Sequence, residues 1–148
     1  LALSRQNLPF VARSDAQVAA IERGGYVLAE AQGGAPQRIL IATGSEVGLA
    51  LAAKKLLDGE GLVTRVVSMP STEAFDRQDA AYRAAVLPEQ VPTIAIEAGA
   101  SALWWKYVRG AGAVIGIDRF GESAPGATVF EFFGFTPENV AGIARGVA

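Results

Sequence analysis

Short apolar runs alternate with helix-like segments along most of the chain. Apolar runs without polar alternation are typical of strands that are buried on both faces, and a helix must return the chain between two parallel strands. Helical segments are recognised by apolar residues that recur every three or four positions. The pattern predicts strands at 39–42, 62–69, 93–96 and 113–117, and helices at 47–57, 76–87, 103–108, 128–133 and 137–147.

One further strand is predicted to run in the opposite direction. A β-type run at 26–31 is separated from the run at 38–42 by a short segment rich in glycine. Two such runs so close together predict an antiparallel hairpin, whose first strand belongs at an edge of the sheet. The expected fold class is α/β, a three-layer sandwich with a mixed, mostly parallel sheet of about five strands and one antiparallel edge strand.

The first 23 residues differ in character from the rest. The first three are apolar and are followed by a polar run, which indicates the end of a strand. Ser14 or Asp15 can cap a short helix that ends before Gly24. Because the chain opens abruptly on this apolar run without an initiator methionine, we expect it to be a fragment of a longer polypeptide.

Composition excludes several classes of protein. The 148 residues are 51% apolar, with a mean hydropathy of +0.28, so the chain can bury a core and is not disordered. A net charge of −2 offers no basic surface for nucleic acid or for an anionic membrane. The chain has no cysteine and no histidine, which removes thiolate chemistry and the commonest general base. Without a signal peptide or a long apolar stretch, a cytoplasmic location is expected.

The loops after the predicted parallel strands are candidate sites, because ligands bind beyond the carboxyl ends of such strands. Residues 43–46 (TGSE) put a glycine and a hydroxyl at a helix N-terminus, where an anion could bind, although no dinucleotide or Walker motif is present. An N-cap role for Ser45 is the simpler interpretation. Glu97, Asp118 and Glu122 could form a carboxylate cluster for a divalent cation or for acid/base chemistry. Their spacing fits no known metal loop, so solvated or interface carboxylates are the simpler interpretation.

Aromatic residues are concentrated near the C-terminus. Trp104 and Trp105 are adjacent, so on a helix their side chains point about 100° apart and cannot form one stacking face. The phenylalanines at 130, 132, 133 and 135 exceed what one buried helix face needs. We therefore expect another domain or subunit to cover part of this aromatic group.

The SRQN run at 4–7 is the most chemically suggestive segment. It presents four polar side chains at the end of a predicted strand, and one of them is the guanidinium of Arg5. Arginine can bind a phosphate or a carboxylate through two parallel hydrogen bonds. An ion pair at the surface or between domains is the alternative interpretation from the residues alone.

Many motifs along the chain resemble the C-terminal end of transketolases. They occur in the family's order and cover essentially the whole chain. The motifs are LSRQNLP at 3–9, GGYVL at 24–28, IATGSEV at 41–47, RVVSMPS at 65–71, FD at 75–76, YR at 82–83, VLP at 86–88, EAG at 97–99, WKY at 105–107, FGESAP at 120–125 and FFGFT at 132–136.

This resemblance implies an enzyme of which the chain is one part. The intact protein would be a homodimer that binds thiamine diphosphate and Mg²⁺ (or Ca²⁺). It would transfer a two-carbon ketol unit from a ketose phosphate to an aldose phosphate in the pentose phosphate pathway. Residues 1–23 would be the last strand of the preceding pyrimidine-binding domain plus a linker, and residues 24–148 the C-terminal domain.

The resemblance also implies where the functional residues lie. The family's cofactor-binding residues, catalytic histidines and activating glutamate precede residue 1, so we expect no catalytic, cofactor-binding or metal-binding residue in this chain. Arg5 stands at the arginine of the SRQN motif that contacts the substrate's sugar phosphate. The expected partners of the chain are therefore sugar phosphates, its own upstream domains and a second copy of the protein. Glu97, Glu122 and Ser123 are expected to shape the contact with the pyrimidine domain.

Two other interpretations remain open from the sequence. The chain could be a stand-alone α/β module that binds a small anion or a nucleotide, with residues 43–46 as the binding loop. Alternatively, residues 25–148 could have a purely structural role, supporting the preceding domain and the dimer without a ligand of their own.

Overall fold

The computed structural model describes residues 7–147. The predicted first strand and Arg5 lie outside the described residues. No helix in the described part of the chain is both long and apolar enough to cross a membrane. The α-helices are α1 (Asp15–Ala20), α2 (Glu46–Gly59), α3 (Thr72–Asp76), α4 (Ala80–Val86), α5 (Gly126–Phe132) and α6 (Pro137–Gly146), with 3₁₀ helices at Ile21–Arg23 and Ser101–Lys106. The strands are β1 (Tyr26–Ala29), β2 (Arg38–Ala42), β3 (Thr64–Ser68), β4 (Thr93–Ile96) and β5 (Ala113–Ile115).

The five strands form one mixed sheet in the order β1-β3-β2-β4-β5. The central strand β2 runs parallel to both of its neighbours, β3 and β4, and β5 runs parallel to β4. β1 is antiparallel and lies at an edge. These observations confirm the predicted fold class.

The predicted hairpin is wrong. β1 pairs with β3, with Tyr26 opposite Ser68, and does not pair with β2. Ile39 and the three residues that follow it in β2 are fully buried, so this strand needs a neighbour on both sides and layers on both faces. The segment between β1 and β2, which includes Gly33 and Gly34, carries the chain past the place that β3 later takes.

Two hydrophobic cores lie on opposite faces of the sheet, which makes the domain three layers thick. On one face, α2 and α6 cover Leu40 and Ile94. On the other face, α3, α4 and the 3₁₀ helix Ser101–Lys106 cover Ile39 and Ile41. Successive residues of a strand point to opposite faces, so the apolar run of β2 supplies both cores.

The helix that the sequence predicts at 76–87 is interrupted. The Ser71 hydroxyl caps α3 by accepting a hydrogen bond from the Ala74 N–H. A new helix begins after Asp79, whose carboxylate accepts from the Tyr82 N–H at 2.8 Å. A side-chain cap of this kind stabilises a helix start, so the chain forms two short helices at this point. Of the two residues predicted to cap α1, Ser14 does so, and the Thr136 hydroxyl caps α6 by accepting a hydrogen bond from the Asn139 N–H.

The strand order defines a point, between β2 and β4, where the chain changes direction across the sheet, and we call it the reversal point. From β2 the chain crosses through α2 to β3 on one side, and from β3 it crosses through α3 and α4 to β4 on the other side. A crevice outside the carboxyl ends of β2 and β4 follows from this reversal. In open α/β sheets, ligands bind in such a crevice.

Candidate functional site

Two glutamates lie where β2 and β4 end. Ala42 and Ile96 are the last residues of these strands and lie opposite each other in the parallel pairing. Glu46 begins α2 after the short turn that follows β2, and Glu97 comes directly after β4. The carboxyl edge of the sheet therefore carries two acidic side chains at the reversal point.

Glu46 is almost completely buried, with 3% of its surface exposed. Burial raises the pKa of its carboxyl above the usual value, although hydrogen bonds from its own N–H, the Ser45 hydroxyl and the Ala98 N–H partly oppose this. The Ser45 hydroxyl lies 3.1 Å from each carboxylate oxygen of Glu46. Ser45 is the residue before the helix, as predicted, but it has a helical backbone and its side chain does not cap α2. The Ser45 hydroxyl instead donates its hydrogen bond to the Glu46 carboxylate.

Glu97 is partly buried beside Glu46. Burial, and then the negative charge of Glu46, raise the pKa of Glu97 to about 7. Its Oε2 atom is buried and has no hydrogen-bond partner among the described residues. Two carboxylates that share a poorly solvated site do not both ionise easily, so Glu97 holds a proton up to near-neutral pH.

The two acidic side chains limit which ligands can bind at the carboxyl edge of the sheet. The negative charge of Glu46, joined by that of Glu97 once Glu97 ionises, repels an anion, which argues against residues 43–46 as a binding loop for phosphate or nucleotide. For the same reason, the loops at this edge do not fit the diphosphate of thiamine diphosphate. Within residues 7–147, no three acidic side chains come close enough together to hold a metal ion.

The carboxylate cluster that the sequence suggests does not form. Asp118 accepts hydrogen bonds from the N–H and the hydroxyl of Ser101, and Glu122 pairs with Arg119 at 3.0 Å. β5 has only three residues, so the chain leaves the sheet early and carries these two acids onto a surface loop. Glu97 faces Glu46 instead, a neighbour that sequence reasoning missed because strand adjacency is a property of the fold.

The linker between residue 7 and α1 lies over the same edge. A pocket of about 210 Å³ separates Leu8 and Phe10 of the linker from Gly44 and Val47 at the start of α2. The Phe10 side chain is 91% exposed. The linker therefore presents an apolar side chain to solvent next to the reversal point.

The aromatic residues divide between core and surface. Trp104 is buried and Trp105 is 55% exposed, so the two side chains point in different directions as predicted. Phe135 is buried, whereas Phe132 and Phe120 are largely exposed. The Arg119 guanidinium lies 5.1 Å from the rings of Phe132 and Phe133. Phe120 and Phe132 are thus large apolar side chains that the described part of the chain leaves exposed.

Comparison with known proteins identifies relatives along the whole chain. The family model described as the transketolase-like TK C-terminal domain matches residues 24–136. Transketolase 1 of Vibrio cholerae is 59% identical over 141 residues, which are 95% of this chain and 21% of that protein. Transketolase 1 of Escherichia coli is 56% identical over 146 residues, which are 98% of this chain and 22% of that protein.

Solved structures have the same fold. A transketolase mutant from Pichia stipitis matches with a TM-score of 0.85 and 39% identity, over 97% of this chain and 20% of that one. A transketolase from Leishmania mexicana matches with a TM-score of 0.81 and 41% identity, over 88% of this chain and 18% of that one. The chain spans about a fifth of the length of these relatives. It belongs to the transketolase family, and the part it matches is the family's C-terminal domain.

Proposed function

We propose that the intact protein containing this chain is a transketolase. It would transfer a two-carbon ketol unit from a ketose phosphate to an aldose phosphate, in the pentose phosphate pathway of the cytoplasm. The observation that carries the proposal is the 56% identity to Escherichia coli transketolase 1 over 98% of this chain. Thiamine diphosphate and Mg²⁺ (or Ca²⁺) would supply the carbanion chemistry in that protein, held by residues outside this chain.

Arg5 is proposed to bind the phosphate of the substrate. A guanidinium can donate two parallel hydrogen bonds to a phosphate, which fixes the orientation as well as the position of the bound group. Binding energy from this non-reacting end of the substrate helps to position the carbonyl end for reaction. Support for this role comes from the position of Arg5 in the SRQN motif of a chain that belongs to the family.

Residues 24–148 are proposed to act as a structural domain, and residues 1–23 as the last strand of the preceding domain plus a linker. The family match that begins at residue 24 supports this boundary. The exposed Phe120 and Phe132 support an interface role, because large aromatic side chains are enriched at surfaces that another domain or subunit covers. The expected covering partners are the upstream domains and the second copy of a homodimer.

A chimeric enzyme tests the proposed activity and the role of Arg5 together. The matching segment of Escherichia coli transketolase 1 is replaced by residues 1–148, and kcat/KM is measured with a phosphorylated and a non-phosphorylated ketose donor. We expect the chimera to be active. Arg5→Ala should lower kcat/KM for the phosphorylated donor by about 10- to 100-fold, which corresponds to the loss of a charged hydrogen bond. It should have little effect on kcat/KM for the non-phosphorylated donor.

Two results would contradict these proposals in different ways. An inactive but folded chimera would oppose the assignment of activity. Equal losses with both donors after Arg5→Ala would oppose phosphate binding while leaving the activity in place. The affinity for thiamine diphosphate, measured in the same chimera, should be unchanged by Arg5→Ala.

The proposed structural role has its own test. Calorimetric titration of the 148-residue chain with thiamine diphosphate and Mg²⁺ should give no saturable heat, and the chain alone should show no transketolase activity. Saturable binding would mean that the chain contributes cofactor-binding residues and would overturn this assignment.

A further inference from the structure

A basic pocket lies on the face of the sheet opposite α2 and α6. Its volume is about 200 Å³, and it is formed by α3, by α4 with the turn after it, and by the end of the second 3₁₀ helix with the segment that follows. Phe75, Leu87 and Tyr107 are each at most 3% exposed and form its inner wall. Such a wall gives the pocket an apolar floor, while the charged side chains above it remain in contact with solvent.

Asp76, one of the two acidic residues of the lining, already accepts hydrogen bonds from two neighbouring side chains. Asp76 accepts a hydrogen bond from the Lys106 ammonium at 2.6 Å and from the Tyr107 hydroxyl, which lies 3.0 Å from both carboxylate oxygens. Burial would raise the pKa of Asp76, but these hydrogen bonds and the charges of Lys106 and Arg83 outweigh it and hold the pKa below its usual value. Burial and Asp76 raise the pKa of Tyr107 to about 12, so its hydroxyl remains a donor.

Two guanidinium groups in the lining keep free donors. In the described part of the chain, the Arg83 side chain makes no hydrogen bond and has no carboxylate within ion-pair distance. The Arg109 Nη1 atom donates to the carbonyl oxygens of Lys106 and Val108, which holds the group in place and leaves its other N–H groups free. Glu89 lies at the exposed rim. The lining thus carries three cations against two carboxylates.

We propose that this pocket binds the phosphate group of a small phosphate monoester, with Arg83, Lys106 and Arg109 as its cationic partners. A phosphate has three acceptor oxygens and suits guanidinium and ammonium donors that converge from different elements. The volume lies below the roughly 300–1,000 Å³ of sites for drug-sized ligands, so a phosphate with a short carbon chain fits better than a nucleotide.

The proposal is tested by titrating the 148-residue chain with glycerol 3-phosphate at constant ionic strength, following backbone amide NMR signals of residues 106–109. Inorganic phosphate is titrated separately, to determine whether the phosphate group alone suffices. Glycerol and sodium chloride serve as blanks for the carbon chain and for ionic strength. We expect saturable binding with a Kd of about 1 mM.

Three variants separate specific binding from general attraction. Arg83→Gln should weaken binding about tenfold, whereas the exposed Arg77, outside the lining, provides a charge-matched control in Arg77→Gln that should not. Asp76→Asn removes a negative charge beside the phosphate with little change of shape, so it should tighten binding several-fold. A merely structural role for Asp76 predicts no gain.

Several outcomes would overturn the proposal. The first is the absence of saturable binding up to about 50 mM, which is well beyond the expected Kd. The second is an equal loss of affinity in Arg83→Gln and Arg77→Gln. The third is that sodium chloride changes the NMR signals as much as glycerol 3-phosphate does. Tighter binding of a nucleotide monophosphate than of glycerol 3-phosphate would contradict the assigned ligand size.

Discussion

Replacing Glu97 by glutamine should stabilise the chain at pH 8 and change its stability little at pH 5. Glu97 has a pKa of about 7 in the folded protein, raised from an ordinary value of 4.5 by burial and by the charge of Glu46. A glutamine has nearly the same shape as a protonated glutamate. It therefore reproduces the acidic form of the site at every pH.

The sign of the pH effect follows from the direction of the shift. The folded state binds the Glu97 proton more tightly than the unfolded state does, so the favourable contribution is fully present below pH 4.5. It is lost progressively as the pH rises through 7. Each pKa unit corresponds to 1.36 kcal/mol, which gives a loss of about 3 kcal/mol as an upper value, because the side chain is only partly buried.

Urea unfolding of the 148-residue chain measures this effect. Tryptophan fluorescence reports on Trp104, which is buried in the folded state. The chain has no histidine, so few ordinary side chains titrate between pH 5 and pH 8. Subtracting the wild-type free energy of unfolding from that of Glu97→Gln at each pH cancels the remaining groups.

The expected difference grows from below about 1 kcal/mol at pH 5 to about 2–3 kcal/mol at pH 8, with the variant more stable. Glu22→Gln is the matched control, because Glu22 is exposed and loses the same charge, and its difference should stay flat. Parallel curves for wild type and Glu97→Gln across this range would refute the argument that burial and Glu46 hold the proton on Glu97.

Two further predictions concern stability. Gly24 has a φ of +81°, and an added Cβ would lie 2.3 Å from the Ser71 carbonyl oxygen, so Gly24→Ala should cost more than about 2 kcal/mol in thermal unfolding. Gly33→Ala keeps a similar φ of +91° with open space around it and should cost about 1 kcal/mol, and equal costs would oppose the steric argument. Arg38 donates from its guanidinium to the carbonyl oxygens of Ala144 and Val147 at the end of α6. Arg38→Gln should lower the free energy of urea unfolding by about 1–3 kcal/mol, and an unchanged midpoint would mean that this link does not stabilise α6.

The layering of the fold could be predicted because it depends on local patterns. Runs such as Ile39–Ala42 are apolar on both faces and therefore require a layer on each side, whatever their neighbours are. The caps of α1 and α6 were also predictable, since Ser14 and Thr136 act on N–H groups three residues away in the sequence. In each case the cause lies within a few residues of the effect.

The break between α3 and α4 shows where local signals compete. Ser71 and Asp79 each offer a cap to a different helix start, while the apolar spacing between 76 and 87 favours one continuous helix. Packing of Phe75 into the core beside Tyr107 is compatible with the two short helices that form. Propensity alone does not decide between the two arrangements, because it is a weak preference that tertiary packing overrides.

The sequence by itself determined the class of fold, the antiparallel edge strand and the resemblance of its motifs to one family. The tertiary structure decided which strands are neighbours, and with that the pairing of β1 with β3 and the meeting of Glu46 with Glu97. The physical reason is that hydrophobic burial is non-directional and satisfied by many strand orders, whereas strand adjacency depends on contacts between residues far apart in the chain.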